Sequence, residues 1–464
     1  MASAVTDNAP NTLLEGSILR SLLKIAIPVI LSNLLQSGYI TVDAFWVGRL
    51  GDKAVAAISV SQPIFFLAFA MGIGLSVAGS TLVAQCIGAG LQRLADEIAA
   101  QVLLLAWLFA LPVSLAGELL APWILHRLGT EADVMAAALS FLRITLGGLV
   151  FTFGFSMLQS LMRGAGEVRI PLLITLGTLI LNAVIAPLFI FGWGIIPAFG
   201  VTGAGIATLI NQCLAMGVGL LFARYGRVGI TIHLRAMKPR LETISRAFRL
   251  GLPSSIELVT YALSANVMMF MVTLLGTVVT ASYGVVNNIN ALVIVPAIGM
   301  SIATSALVGQ NIGAGQFERA RAIGRLSAII SFCGLSAVGL LAFVFAPSLI
   351  AFFTPGQQSI IHYGSQFLHT IAPSYGLIGL QMALCGTFRA AGRTMTTMTL
   401  AMISQWLVQI PLAWVLSHNT ALGIAGLWWA FPLTNLFMAV MTILWFNRTD
   451  WQNTRVIKYA TADE

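Results

Sequence analysis

Apolar residues run along this chain in long blocks that short polar segments separate. Each block is close to the roughly 20 residues that a helix needs to cross about 30 Å of hydrocarbon. The predicted spans lie near residues 24–47, 55–82, 98–118, 135–160, 170–191, 203–224, 249–273, 280–307, 326–346, 363–387, 395–416 and 422–446. The pattern therefore predicts an all-α polytopic membrane protein with twelve transmembrane helices.

The composition supports this assignment. Of the 464 residues, 58% are hydrophobic and 9% are charged, and the mean hydropathy is +0.92. So few polar groups cannot cover the surface of a water-soluble protein of this length. The lipid bilayer is therefore the expected surrounding of the chain.

The first half of the chain reappears in the second half. Residues 28–90 align with residues 253–315 without a gap, at an offset of 225 positions, and about a third of the aligned positions are identical. The motif Gln-x-Ile-Gly-Ala-Gly stands at residues 85–90 and again at 310–315. Because each half has an even number of spans, the halves should be parallel repeats related by an axis along the membrane normal. Such a duplication is typical of transporters, with the binding site between the halves.

The basic residues give the orientation. Of the 24 lysines and arginines, 20 fall on one side of the membrane under this assignment. The exceptions are Arg49, Lys53 and Arg127 on the other side and Arg143 within the fourth span. By the positive-inside rule both termini are cytoplasmic. Topology alone explains the net charge of +8, so nucleic acid is not expected as a partner.

Spans and charges together divide the chain into five predicted segments. They are a cytoplasmic N-terminal tail at 1–21, a six-helix lobe at 22–226, a basic cytoplasmic linker at 227–247, a second six-helix lobe at 248–447 and a cytoplasmic C-terminal tail at 448–464. No basic cluster precedes the first span, so no cleaved targeting segment is expected. The four cysteines lack the spacing of a metal or redox site, and we expect no cofactor.

Two of the 16 acidic residues, Asp43 and Glu257, fall inside predicted spans. A carboxylate in hydrocarbon costs several kcal/mol unless it is protonated, paired or hydrated, so each is a functional hypothesis. Helical spacing places Tyr39 and Gln36 on the face of Asp43. Burial favours the neutral carboxyl, so Asp43 could bind and release a proton, and with the oxygens around it could equally hold Na⁺. A structural carboxylate that never titrates is the alternative.

Glu257 lies in the seventh span with Tyr261 and Ser264 on its face, which makes this group a second candidate site. The topology places it toward the cytoplasmic end, where water or Arg249 could reach it, so a structural role is equally open. Its repeat partner is Ser32. The two halves therefore carry their acids at different depths.

Arg143 in the fourth span and His369 in the tenth are repeat partners. A cation at either position could pair with a carboxylate or gate the outer opening, and a histidine could titrate near physiological pH. An arginine that reaches the outer interface and a neutral histidine bonded to a carbonyl explain the same residues. The sequence leaves both interpretations open.

Several motifs together resemble the multidrug and toxic compound extrusion (MATE) family. They are the end of the first span at 43–51, the paired motifs at 85–90 and 310–315, and the segments 163–167 and 203–208. The resemblance covers nearly the whole chain and implies two six-helix lobes in a V, alternating access, and export of cationic amphiphilic compounds across a bacterial inner membrane in exchange for H⁺ or Na⁺. It implies that Asp43 is the coupling carboxylate. The polar neighbours that it implies are Gln36, Tyr39, Asn182 and Thr208.

The resemblance is closer to the DinF-like branch, although Ala186 stands where that branch usually has an aspartate. With one carboxylate in the first lobe, protons are favoured, because a single H⁺ neutralises Asp43 without a coordination shell. The glycine motifs lack a Walker lysine, so an ion gradient rather than ATP is the expected energy source. We expect a monomeric antiporter for organic cations or amphiphilic drug-like compounds, not an enzyme. A flippase for a lipid-linked or amphiphilic substrate is the alternative, but more cavity cations than Arg143 would be expected for it.

Overall fold

The computed structural model describes residues 13–127, 129–194, 197–233, 237–451 and 456, and its regular elements are helical. The first half of the chain forms α1 Ile18–Gly48, α2 Asp52–Gly88, α3 Gln92–Arg127, α4 Ala132–Gly147, α5 Leu149–Gly164, α6 Arg169–Phe191 and α7 Val201–Arg224. The second half forms α8 Leu241–Thr273, α9 Thr277–Gly313, α10 Phe317–Val344, α11 Ala346–Phe353, α12 Gln358–Ile371, α13 Tyr375–Ala390, α14 Thr394–Met402, α15 Ile410–His418 and α16 Ile424–Arg448. Much of the two predicted tails, at 1–12, 452–455 and 457–464, lies outside the described residues.

These helices confirm the predicted class of fold. In the described ranges, 11 continuous helical stretches are long and apolar enough to cross a membrane, and the bent pair α4 and α5 raises the number to 12. This pair fills the predicted fourth span and bends by 47° between its two helices. Gly147 and Gly148 stand at the break, where two adjacent glycines lower the cost of leaving the helical path.

Two spans of the second half change their helical pitch within the membrane. A 3₁₀ turn at Ala372–Ser374 joins α12 to α13, and a π-helical turn at Ile403–Gln409 joins α14 to α15. Pro373 lies in the first turn, and Pro411 stands two residues after the end of the second. A proline cannot donate the regular helical hydrogen bond and its ring collides with the preceding turn, so a local change of pitch relieves the strain.

The helices form two compact units. The first unit contains Leu31–Val83 and Leu91–Val259, and the second contains Met1–Ile30, Ala84–Gly90 and Thr260–Glu464. Each unit therefore takes in segments from both halves of the sequence. The predicted domain boundaries follow the order of the chain instead, and they stay a prediction.

In the first unit, α7 is the central helix and packs against α4, α5 and α6. Its contact with α6 is close because Gly203 lacks a side chain. A Cβ at this position would lie 2.2 Å from the carbonyl oxygen of Phe189. The backbones of α6 and α7 can therefore approach each other, and polar side chains on the two helices can meet.

Helix α3 holds part of the predicted linker. Gln101 donates from Nε2 to the carbonyl oxygen of Lys238 at 2.7 Å, and its Oε1 accepts from the backbone N–H of Arg240 at 2.8 Å. Asp96 accepts from the backbone N–H of Thr231 at 2.8 Å. The apolar side chains that are buried in this segment are Val228, Ile230 and Ile232. The described part of the linker is thus an ordered strap along α3.

In the second unit, the two Gln-x-Ile-Gly-Ala-Gly motifs cross each other. A Cβ at Gly88 would lie 1.9 Å from the carbonyl oxygen of Gln310, and one at Gly313 would lie 2.1 Å from that of Gln85. The two contacts are related by the sequence repeat. A close crossing of this kind needs a glycine on both helices, which explains why the motif occurs twice.

Candidate functional site

Three polar side chains from three helices of the first unit form a continuous hydrogen-bonded chain. Asn182 of α6 donates from Nδ2 to Oδ1 of Asp43 on α1 at 2.6 Å. Its Oδ1 accepts from Nδ2 of Asn211 on α7 at 2.8 Å. Asn182 and Asn211 are buried. The amide of Asn182 is thus fixed, with its N–H groups toward the carboxylate and its oxygen toward α7.

The packing of α1 on α6 positions this chain. Ser32 donates from its hydroxyl to the hydroxyl of Thr175 at 3.3 Å, and Gly38 lies against Leu179. Thr175, Leu179 and Asn182 share one face of α6 at helical spacing. The same face that packs on α1 therefore presents Asn182 to Asp43.

Thr208 and Tyr39 complete the surroundings of the carboxylate. The Thr208 side chain lies beside Asp43, and the Tyr39 hydroxyl lies near Thr208 and Asn211. Tyr39 Oη and Asn211 Oδ1 are both buried, and neither has hydrogen-bond geometry to another described residue. Buried polar atoms without partners are uncommon in proteins. The site thus has oxygen atoms with spare bonding capacity close to a carboxylate.

The structure brings together four of the five residues predicted for this site, and one predicted residue lies apart. Gln36 is on α1 two turns before Asp43, its side chain is exposed, and it makes no hydrogen bond to the described residues. Asn211 was missed by the sequence analysis. The signal was its position three residues after Thr208, which places both polar side chains on one face of α7.

Ala186 is fully buried one turn after Asn182 on α6. Its methyl group occupies the position at which the DinF-like branch of the family usually has an aspartate. Among the described residues, no group of three or more histidine, cysteine, aspartate or glutamate side chains could hold a metal ion. The first-unit site thus relies on Asp43, without a second acid at position 186.

The second candidate group lies along α8. Glu257 and Ser264 are each 1% exposed, and Tyr261 is half-buried. Ser264 donates from its hydroxyl to Oε1 of Gln405 at 2.8 Å, and Gln405 lies in the π-helical turn. π-Helical turns often occur at functional sites. A role for this group in ion binding stays a prediction.

The two candidate gating residues lie on different helices, Arg143 on α4 and His369 on α12. Arg143 is exposed on α4 and makes no ion pair with the acids in the described ranges. The ring of His369 on α12 packs on Phe343, with 4.7 Å between ring centroids. Their roles in pairing or gating stay predictions.

A duplicated, all-helical membrane protein with a hydrogen-bonded carboxylate inside one bundle has the construction of a secondary transporter. The family model MatE matches residues 28–188 and 253–415, once in each repeat. The chain therefore belongs to the MatE family, the multidrug and toxic compound extrusion transporters. It is a transporter and not an enzyme, and the family prediction is confirmed.

Relatives of similar length support this membership. The probable multidrug resistance protein YoeA of Bacillus subtilis is 28% identical over 448 residues, which cover 96% of each chain. The FAD transporter of Shewanella oneidensis is 26% identical over 436 residues, which cover 92% of this chain and 94% of that protein.

Solved structures show the same fold. A MOP superfamily transporter from Pyrococcus furiosus has a TM-score of 0.88 at 25% identity, over 94% of this chain and 96% of that one. A multidrug resistance MATE transporter in an outward-facing conformation has a TM-score of 0.87 at 25% identity, over 94% and 96% of the two chains.

Proposed function

We propose that this protein is a secondary active antiporter that exports cationic amphiphilic compounds in exchange for H⁺, with Asp43 as the coupling carboxylate. The hydrogen-bonded chain from Asp43 through Asn182 to Asn211 carries the proposal. The family membership supports transport, and relatives named as multidrug resistance proteins support the class of substrate.

The direction of the hydrogen bonds couples protonation to helix packing. The ionised Asp43 accepts a short, charge-assisted bond from Asn182. A protonated Asp43 needs an acceptor for its own O–H. Asn182 turns Nδ2 rather than its oxygen toward the carboxyl group, because the bond from Asn211 holds that oxygen toward α7. Protonation therefore weakens the contact between α1 and α6 and favours a different arrangement of α1.

The buried oxygen atoms of the site that lack a hydrogen-bond partner make a second arrangement of Asp43 possible. Tyr39 Oη is a buried acceptor near Asp43, and Asn211 Oδ1 is a buried acceptor on the residue beside Tyr39. A protonated carboxyl that turns toward α7 could donate to either of them. An antiporter needs proton binding to stabilise one conformation relative to another, because this links the transport of protons to the transport of substrate.

The same donor set also suits Na⁺ as the coupling ion. Carboxylate, amide, hydroxyl and phenol oxygens are ligands for a hard cation. Asp43, Asn211 and Thr208 would hold the ion together with Tyr39. We retain H⁺ as the proposal because a proton needs only the carboxylate, whereas Na⁺ needs several of these oxygens at once.

The alternative of a flippase requires a cationic cavity for a charged head group. Arg143, the intramembrane cation that would serve it, is exposed on α4. One relative is named as an FAD transporter, so substrates in the family differ in charge. The transport assay below therefore compares a cationic dye with FAD.

The cellular setting forms part of the proposal. Bacterial relatives and the long apolar helices support the bacterial inner membrane as its location. The distribution of basic residues supports cytoplasmic termini. We further propose that the protein functions as a monomer, because the proposed coupling site is complete within one chain.

The test uses the purified protein in liposomes that carry either a proton or a sodium gradient. We expect the parent protein to move a fluorescent cation under the proton gradient. Asp43→Asn should lose this transport, whereas the matched control Asp133→Asn, which removes an exposed carboxylate, should retain it. Equal transport by Asp43→Asn would overturn the role of Asp43. Transport that follows only the sodium gradient would assign Na⁺, and transport of FAD without the dye would reject the substrate class.

A further inference from the structure

An open apolar groove of about 280 Å³ runs between α6 and α7 on the first unit. Its walls include Ile170, Leu173, Gly177 and Leu181 of α6 with Leu214 and Phe222 of α7. Thr178 also lines it, but its hydroxyl donates to the carbonyl oxygen of Thr175 in its own helix at 2.8 Å. The Thr178 hydroxyl hydrogen is therefore already used, and the other wall residues named here offer an occupant only apolar side chains or the Cα of glycine.

The groove is separate from the Asp43 site. On α6 the residues that face α1 include Thr175, whereas Gly177 lies about 200° further around the helix. Leu173 is 63% exposed, so this face is open to the surroundings of the unit. In a bilayer those surroundings are lipid.

Two arginines lie at one end of the groove. Ile170 and Phe222 line this end, and Arg169 and Arg224 are one and two residues beyond them. Both arginines are exposed, and neither makes an ion pair with an acid in the described part of the chain. Glu167 accepts from the backbone N–H groups of Arg169 and Ile170 at 2.7 and 3.1 Å, so it already caps the start of α6. The guanidinium groups, rather than the helix end, are the available anion ligands.

We propose that the groove binds an anionic phospholipid, with one acyl chain between α6 and α7 and the phosphate at Arg169 and Arg224. An apolar groove with two cations beyond one end, along the axes of its helices, matches a lipid, which has an apolar chain and a charged head. Guanidinium groups bind phosphate with two parallel hydrogen bonds. The predicted topology places this end in the cytoplasmic leaflet, where anionic lipids are abundant.

The first experiment tests the charged end. The delipidated protein is titrated with phosphatidylglycerol or phosphatidylcholine that have identical acyl chains, and bound lipid is counted by native mass spectrometry. We expect the parent protein to prefer phosphatidylglycerol. The double variant Arg169→Gln and Arg224→Gln should lose roughly tenfold or more of this affinity. The control double variant Arg20→Gln and Arg448→Gln removes two exposed cations elsewhere and should keep the preference.

The second experiment tests the apolar part. Gly177 and Gly217 are both helical, and a Cβ at either position would meet no atom within 4 Å. Gly177→Leu should fill the groove and reduce the binding of both lipids, whereas Gly217→Leu lies outside the groove and should change neither. Both replacements suit a helix, so both variants should fold.

Several outcomes would overturn the proposal. These are equal binding of the two lipids by the parent protein, unchanged binding by Gly177→Leu, and displacement of bound phosphatidylglycerol by the fluorescent cation, which would assign the groove to substrate. A dimer that light scattering detects in the parent protein and not in Gly177→Leu would instead assign the groove to a second copy of the chain.

Discussion

Asn182 donates to Asp43 and accepts from Asn211, so its amide has one allowed orientation. The three residues come from α1, α6 and α7 and are far apart in the sequence. A buried chain of polar side chains stabilises the protein when every hydrogen-bond partner is present and destabilises it when one partner is lost. The orientation of Asn182 therefore depends on Asn211, which makes no hydrogen bond to Asp43 itself.

Replacement of Asn211 tests this dependence. Asn211→Leu removes the donor that fixes the amide of Asn182, which can then turn its oxygen toward a protonated Asp43. We expect the protonated carboxyl to be stabilised where it stands, so the optimum of transport should move to higher pH and its maximal rate should fall. The measurement is the rate of dye transport across a range of pH.

The control for this prediction is Asn266→Ala on α8. Asn266 is exposed and donates to a carbonyl of its own helix at 2.8 Å, so its removal should leave the pH profile unchanged. An Asn211→Leu profile identical to that of the parent protein would show that Asn182 does not set the protonation of Asp43.

A second carboxylate on α6 should change the preference between ions. Ala186→Asp introduces an acid one turn after Asn182, on the face of α6 that contains the polar chain. Two carboxylates attract a cation more strongly than one, and their oxygens complete a coordination shell for Na⁺. We expect transport by this variant to gain stimulation by a sodium gradient. Ala186→Asn, which has the same size without the charge, should gain none, and equal stimulation of both variants would contradict the prediction.

The sequence predicted the positions of the membrane helices well, because the length of each apolar block reports directly on the bilayer. It did not predict the bend at Gly147 and Gly148, since a broken span has the same hydropathy as a straight one. Helical spacing placed Gln36 on the face of Asp43, but spacing gives only the direction of a side chain. It does not tell whether a polar group of a neighbouring helix lies within reach.

Asn211 shows the same limit of sequence analysis, here for a residue of the site that was not predicted. A lone asparagine in an apolar helix resembles the many polar residues that join membrane helices by hydrogen bonds. Its importance depends on Asn182, 29 positions earlier in the chain. The strap on α3 was also beyond sequence analysis, because Gln101 and Lys238 are separated by 137 positions and form no recognisable motif.

The crossing of the two glycine motifs predicts that replacing either glycine lowers the stability of the protein by a similar amount. A methyl group at Gly88 or at Gly313 would collide with a backbone carbonyl, and a backbone atom cannot move as a flexible side chain does. We expect Gly88→Ala and Gly313→Ala each to destabilise the protein by roughly 1–3 kcal/mol, the usual cost of overpacking. The thermal unfolding temperature in detergent should fall by similar amounts in both. Gly217→Ala, at an open position, is the control and should be neutral or stabilising. A large effect at one motif only would argue against a shared crossing.

The strap on α3 predicts a change in protease sensitivity. Gln101→Ala removes both hydrogen bonds that hold the backbone at Lys238 and Arg240, each worth about 1 kcal/mol. Opening of this segment should become several-fold or more frequent, and trypsin should cleave after Arg240 correspondingly faster, whereas Pro239 protects the bond after Lys238. Gln366→Ala on α12, which removes an exposed side chain that contacts His362 of its own helix, is the matched control and should keep the parent rate. Equal cleavage of Gln101→Ala and the parent protein would mean that the other contacts of the segment, such as its apolar side chains, the bond to Asp96 and the ion pair between Arg240 and Glu97, hold it on α3 without Gln101.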